Sequence, residues 1–240
     1  HRKAIQDIFN IIIEIDHDVK GYKYHILNPR ELENDGFRSW LIDSYATLNQ
    51  VQADQNLKDR VEFEDIPSGH TWLTLFMQAM RQNKAMQITH QGFGKAYENT
   101  FVIHPYSLKV VQRRWYIVAF NPYYEEWNKK HKNDADFKPR KEILVYGLDR
   151  ILDAEILDKT FTIKKGFSMK KFFEGCTGII PSDGKIEEVV IKAYWNAPDY
   201  LRTLPLHESQ REMESGDGYA VFSYKVKLTY DFMQLIMRQG

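Results

Sequence analysis

Arg113 and Arg114 are adjacent guanidinium groups, and Trp115 and Tyr116 follow them directly. Paired guanidiniums offer planar, forked donors that suit phosphate or carboxylate. Adjacent rings offer stacking surface. A second cation of this kind lies downstream in Tyr146-Gly-Leu-Asp-Arg150, where an Asp–Arg pair ends an apolar run. Together these residues read as an anion-binding site with an aromatic wall. Arg150 pairing with Asp149 or Asp153 is the structural alternative, and Arg113 and Arg114 solvating a turn is another.

Other chemistry is poorly represented. Among eight histidines there is no HExxH or paired spacing, so no metal site is expected. No GxSxG, P-loop or GxGxxG occurs; Gln91-Gly-Phe-Gly94 reads as a turn. The one cysteine, Cys176, reads as a packed thiol. No set of residues meets the needs of nucleophilic or acid–base catalysis, and no cofactor or enzymatic activity is expected.

The elements that must hold the arginines are strands. Ser107–Val111 and Trp115–Phe120 are rich in β-branched and aromatic residues, and Gln112-Arg113-Arg114 reads as the turn between them. Met86, Ile88 and His90 alternate in an earlier strand. Residues 95–103 form another, and residues 142–148 a fifth. Five short strands in about 65 residues fit a small β-barrel. Residues 121–141 are polar and read as a long, mobile loop.

Upstream, Ile5, Ile8, Phe9 and Ile12 have helical spacing, and residues 13–27 read as a hairpin turning at Asp18-Val-Lys-Gly21. Residues 29–50 and 70–83 read as helices, the latter with Leu73, Phe76, Met77 and Met80 on one side. Downstream, residues 164–174 end in a helical turn. Residues 186–194, 197–203, 207–210, 219–227 and 230–238 then read as strand, helix, strand, strand and helix, a small α/β sandwich.

The order His104-Pro-Tyr-Ser-Leu108, Arg114-Trp-Tyr-Ile-Val118, Tyr146-Gly-Leu-Asp-Arg-Ile151 resembles the WYL domain, with Ile117 in place of the usual Leu. That domain is an Sm/SH3-like barrel of bacterial transcriptional regulators. The resemblance implies an α+β chain organised as a partial winged helix-turn-helix (1–28), a helical linker (29–84), a WYL sensor barrel (85–160), a linker (161–184) and an incomplete C-terminal extension (185–240). Arg2-Lys-Ala-Ile-Gln-Asp-Ile8 resembles the recognition helix that precedes WYL domains, with Ala4 replacing Thr. The His1 start and Gly240 end suggest a piece trimmed at both ends.

The resemblance further implies a ligand-responsive regulator whose barrel senses a nucleic-acid or nucleotide-like anion. The expected ligand-binding residues are Tyr106, Arg113, Arg114, Trp115, Tyr116, Tyr146 and Arg150, with His90 and His104. Trp115 and Tyr116 must point to opposite faces, so only one ring should meet ligand. Arg2, Lys3, Gln6, Lys20 and Lys23 would contact DNA, in a homodimer. An RNA- or single-strand-binding module without a switch is the alternative.

Composition fits this reading. The 240 residues are 43% hydrophobic and 28% charged, with zero formal net charge. Residues 101–171 nevertheless hold fifteen bases against nine acids, while 31–65 hold nine acids against three bases. A local surplus can draw an anion to a neutral protein. Low cysteine usage suggests a cytoplasmic protein, and no run approaches the roughly 18 apolar residues of a membrane span.

Overall fold

The computed structural model describes residues 12–16, 23–27 and 69–239. The chain divides into two compact units, residues 1–65 and 66–240. In the first, β1 (Ile13–Asp16) and β2 (Lys23–Ile26) pair antiparallel, with Ile13 opposite Ile26 and Asp16 opposite Lys23. This is the pairing expected of a hairpin. The helix expected over residues 2–13, the Asp18–Gly21 turn and the helix over 29–50 lie outside the described residues.

The second unit begins with a 3-10 turn, His70–Trp72, that runs into α1 (Leu73–Gln82). Asn83 ends the helix in the left-handed conformation, and its N–H reaches the carbonyls of Ala79 and Met80. Phe76 and Ala79 are fully buried, and Leu73 and Met80 pack beside them. Met77, expected on that face, is exposed instead. The buried stripe is centred on Phe76 with Ala79 on one flank, which leaves Met77 at the opposite margin.

Five strands follow: β3 (Lys84–His90), β4 (Asn99–Val111), β5 (Arg114–Phe120), β6 (Ile143–Gly147) and β7 (Ile151–Thr160). Their order is β6-β5-β4-β3-β7, with every pair antiparallel. The last strand therefore returns to the first. Alternation divides the sheet into two apolar faces. Met86, Ile88, Ile103, Ile117, Ala119 and Tyr146 pack against α1. On the opposite face, Val118, Ile143 and Val145 pack under Phe173 and Cys176. The thiol is packed, as expected.

Three expectations need correction. Residues 95–103 and 107–111 are not separate strands. They belong to β4, which bulges between Pro105 and Ser107 and so changes register without ending. Arg114 is not in the turn: Val111 pairs with Arg114, leaving the two-residue turn Gln112-Arg113. Both turn residues have positive φ, 49° and 63°, the backbone of the primed turns that match strand twist. Finally, residues 121–141 are not a plain loop. They contain α2 (Pro122–His131), capped by the Asn121 side chain accepting from the Tyr123 N–H at 3.0 Å. Arg140 is then tied back to Asn128 and lies over the Trp127 ring at 4.1 Å.

After the short α3 (Met169–Phe172), the chain forms β8 (Glu187–Tyr194), α4 (Ala197–Thr203), β9 (Arg211–Gly216), β10 (Tyr219–Val226) and α5 (Tyr230–Met237). The sheet order is β8-β10-β9, all antiparallel. The strand expected at 207–210 starts instead at Arg211. Residues 207–210 form a turn, closed by the Gln210 N–H to the His207 carbonyl at 2.9 Å. The Gln210 side chain is drawn inward, where it bonds Leu206, Leu201 and Tyr224. Phe222, Tyr224, Leu201 and Phe232 form this region's core.

Candidate ligand site at the β5–β6 edge

Arg114 opens β5 and is on the same face as Tyr116, two residues on. Tyr116 lies between Lys109 on β4 and Gly147 on β6. Beyond Gly147 the chain makes a 3-10 turn, Leu148–Arg150, before β7 begins. This turn brings Asp149 to Arg114, and the two form an ion pair. The pair is asymmetric: the Asp149 side chain is 5% exposed and that of Arg114 31%. The pairing of Asp149 is thus with Arg114, rather than with Arg150.

Arg150 turns back over Gly147 and places its guanidinium 4.2 Å from the centre of the Phe93 ring. Gly147 leaves room for both side chains. A Cβ at this position would lie 2.6 Å from Asp149 Oδ1 and 3.1 Å from two Arg150 nitrogens. Phe93 sits in the turn after β3 and is largely exposed. His90, at the end of β3, packs edge-on against Tyr146 at 5.4 Å. Burial holds the His90 imidazole below its usual pKa, and Arg150 lowers it further. Burial also raises the Tyr116 phenol and pushes Tyr146 up to about 12.

Four buried polar atoms in this neighbourhood have no hydrogen-bond partner: Arg114 Nε, Arg150 Nε, Asp149 Oδ1 and His90 Nε2. Leaving a buried donor or acceptor unmade typically costs about 1–3 kcal/mol. Such groups are usually satisfied by ordered water or a bound ligand. With His90 neutral, two guanidiniums and one carboxylate give a local charge near +1.

The other expected residues are elsewhere. Trp115 is on the opposite face of β5 and packs with the α1 core. Tyr106 is buried among Phe120, Phe161 and Phe167, at 6.2, 5.8 and 5.0 Å, and its hydroxyl accepts from the Lys164 N–H. His104 stacks on Phe161 at 4.8 Å. Tyr106 and His104 thus form a second cluster. Arg113 is exposed at the turn tip. Arg2, Lys3, Gln6 and Lys20 lie outside the described residues, and Lys23 opens β2. Two contributors were not expected: Asp149 as the partner of Arg114, and Phe93. An aromatic between two glycines in a turn was the available signal for Phe93.

An open groove of 710 Å³ lies elsewhere, lined in part by Arg140, Lys171, Ser182 and Lys227. Its cations are largely engaged: Lys227 donates to the Ser182 carbonyl, and Lys141 pairs with Asp183. Among the described residues, no group of three or more His, Cys, Asp or Glu side chains is placed to hold a metal ion. No helix there is long and apolar enough to cross a membrane.

Comparison with curated proteins finds no match. Among solved structures, the chain resembles proteasome accessory factor B/C (PafBC) of Arthrobacter aurescens, with a TM-score of 0.31 and 14% identity. The likeness covers 74% of this chain and 24% of that one, so the chain spans about a quarter of that protein's length. The family model for the WYL domain matches residues 71–156, the span from the 3-10 turn before α1 into β7. The chain therefore contains a WYL domain, and the Arg114–Asp149–Arg150 cluster lies inside it.

Proposed function

We propose that this chain is the sensor part of a ligand-responsive transcriptional regulator. In this reading the five-stranded sheet is a small Sm/SH3-like barrel, and residues 1–28 belong to a winged helix that binds DNA. The ligand is a nucleic-acid or nucleotide-like anion, and the working unit is a homodimer. The observation that carries the reading is the pair of buried, unpartnered guanidinium nitrogens on Arg114 and Arg150. A phosphodiester suits a site with two neighbouring guanidiniums, and its single negative charge matches the local surplus. Tyr116 is the ring that shares the Arg114 face, and Phe93 stands beside Arg150. Trp115, which packs beside the α1 core on the opposite face, is not assigned this role. Ligand binding would shift operator affinity only by binding the two arrangements of the regulator unequally.

Arg150 gives the cleaner test. Removing Arg114 also strands the buried Asp149 carboxylate, which mixes stability with binding. Arg150→Met should weaken binding of a fluorescent single-stranded oligonucleotide roughly tenfold and flatten its salt dependence. Its melting temperature should stay close to that of the parent. Unchanged affinity and salt slope would sink the assignment. Ligand binding without any effect on duplex binding by the full-length regulator would favour a plain single-strand-binding module.

A further inference from the structure

β8 is an edge strand, and like the edge strand β6 it pairs its one neighbour without a bulge. β9, across the same sheet, is paired through a bulge between Val221 and Phe222 and carries Arg211, Glu212 and Glu214. Arg202 grips Glu212 from α4 with two bonds, at 3.0 and 2.7 Å. β7 carries Asp153, Glu155, Asp158 and Lys159. Bulges and charges are the usual means of keeping a strand edge from pairing. β8 keeps its charges, Glu187, Glu188 and Lys192, to either side of an apolar centre, Val189, Val190 and Ile191, and has eight regularly paired residues with no bulge against β10. Val190 is 62% exposed on the face that the helices leave open. Beside the strand, on the helix face, a 360 Å³ groove is lined by Ile191, Ala193, Leu201, Leu206 and Ile236.

We infer that the free edge of β8 pairs with β8 of a second copy of this chain, antiparallel, about a two-fold axis through Val190. The charges select both the occupant and the register. In this arrangement Glu188 of each copy stands opposite Lys192 of the other, so one axis generates two opposite-charge pairs. Val189 stands opposite Ile191, and Val190 meets its own equivalent. Residues facing each other across a pair must share a sheet face, so the neighbouring registers differ by two residues. Moving the axis to Val189 puts Glu188 against Val190 and Lys192 against Ile186. Moving it to Ile191 puts Glu188 against Tyr194 and Lys192 against Val190. Only the axis through Val190 pairs both charges. Lys192 already lies on that open face, over the Tyr219 ring at 3.9 Å. A two-fold contact of this kind is self-complementary and closed, and it would join two three-stranded sheets into one of six strands.

The inference gives a surface to the homodimer proposed above and is independent of ligand sensing. The test is sedimentation of the full chain over a concentration series, with Lys192→Glu, Glu188→Lys and the double swap. Each single variant sets like charges opposite at two places. Each should raise the dimer dissociation constant roughly tenfold or more. The double swap should restore dimerisation, which also shows that the exposed substitutions leave the fold intact. A parent protein monomeric at every concentration would overturn both the interface and the homodimer. A dimer insensitive to the single changes, or one not restored by the double swap, would overturn this interface alone.

Discussion

The two clusters drawn from the same sequence blocks handle their polar groups in opposite ways. Around Tyr106, polarity is minimised: three phenylalanine rings surround the phenol, and its hydroxyl meets a backbone N–H. Lys164 closes that side by pairing with Glu125 and Glu142 while lying over Phe120. Around Arg114, polarity accumulates and is left incomplete. One of two guanidiniums, that of Arg114, pairs with the single carboxylate, and four buried polar atoms lack protein partners. The first arrangement is what a core requires, whereas the second leaves guanidinium donors that the proposed anion could accept from. His104 departs from this division, since its Nε2 is also unpartnered. Its neighbours are nonetheless aromatic rings, and the nearby Lys164 is already paired with Glu125 and Glu142.

The largest effect should come from the aromatic cluster. Tyr106→Ala removes a side chain only 4% exposed and leaves a cavity among packed rings. It should cost about 3 kcal/mol or more in denaturant unfolding. Oligonucleotide affinity of the folded fraction should be unchanged. A stable variant with weakened binding would move the ligand site to this cluster and reverse the comparison.

The polar cluster should respond in the other sense. Asp149→Asn removes the carboxylate that occupies Arg114. Breaking a buried pair can cost 3–5 kcal/mol, but Arg114 is partly solvated, so a loss of about 1–2 kcal/mol is expected. The local charge rises by one, and oligonucleotide binding should tighten severalfold, most clearly at low salt. Weaker binding in this variant would show that Asp149 positions Arg114 for the ligand instead of competing with it.

Much of this was legible in the sequence because short, strong signals carried it. The Arg114–Val118 and Tyr146–Ile151 blocks located β5 and β6 and singled out Arg150, though not the 3-10 turn that presents it. What was not legible depends on contacts between distant residues. Asp149 is 35 positions from Arg114, and only the antiparallel β5–β6 pairing brings them together. The β4 bulge hid a continuous strand, because Pro105 reads as a break when pairing is unknown. α2 was missed for another reason. Its apolar positions are few and its signal lies in the Asn121-Pro122 cap, overshadowed by the lysines that follow. The division of the expected site into two clusters was equally hidden, since His104 and Tyr106 are displaced from Arg114 by sheet geometry, not by sequence distance.

The smallest effect tests the same comparison through pH. His90 and His104 are both held below their usual value of 6.5, each chiefly by burial. In the unfolded chain they protonate near that value, while in the folded chain they resist. Between the two values the unfolded state binds more protons, so stability is full above pH 6.5 and declines as pH falls below it. His90→Gln and His104→Gln should each flatten part of that decline in melts between neutral and mildly acidic pH. The clusters should then separate in the presence of oligonucleotide. A phosphodiester beside Arg150 offsets the positive field that lowers His90, so bound ligand should reduce the contribution of His90 to the acid decline and leave that of His104 unchanged. An equal response from both histidines would mean that the anion does not distinguish the two clusters.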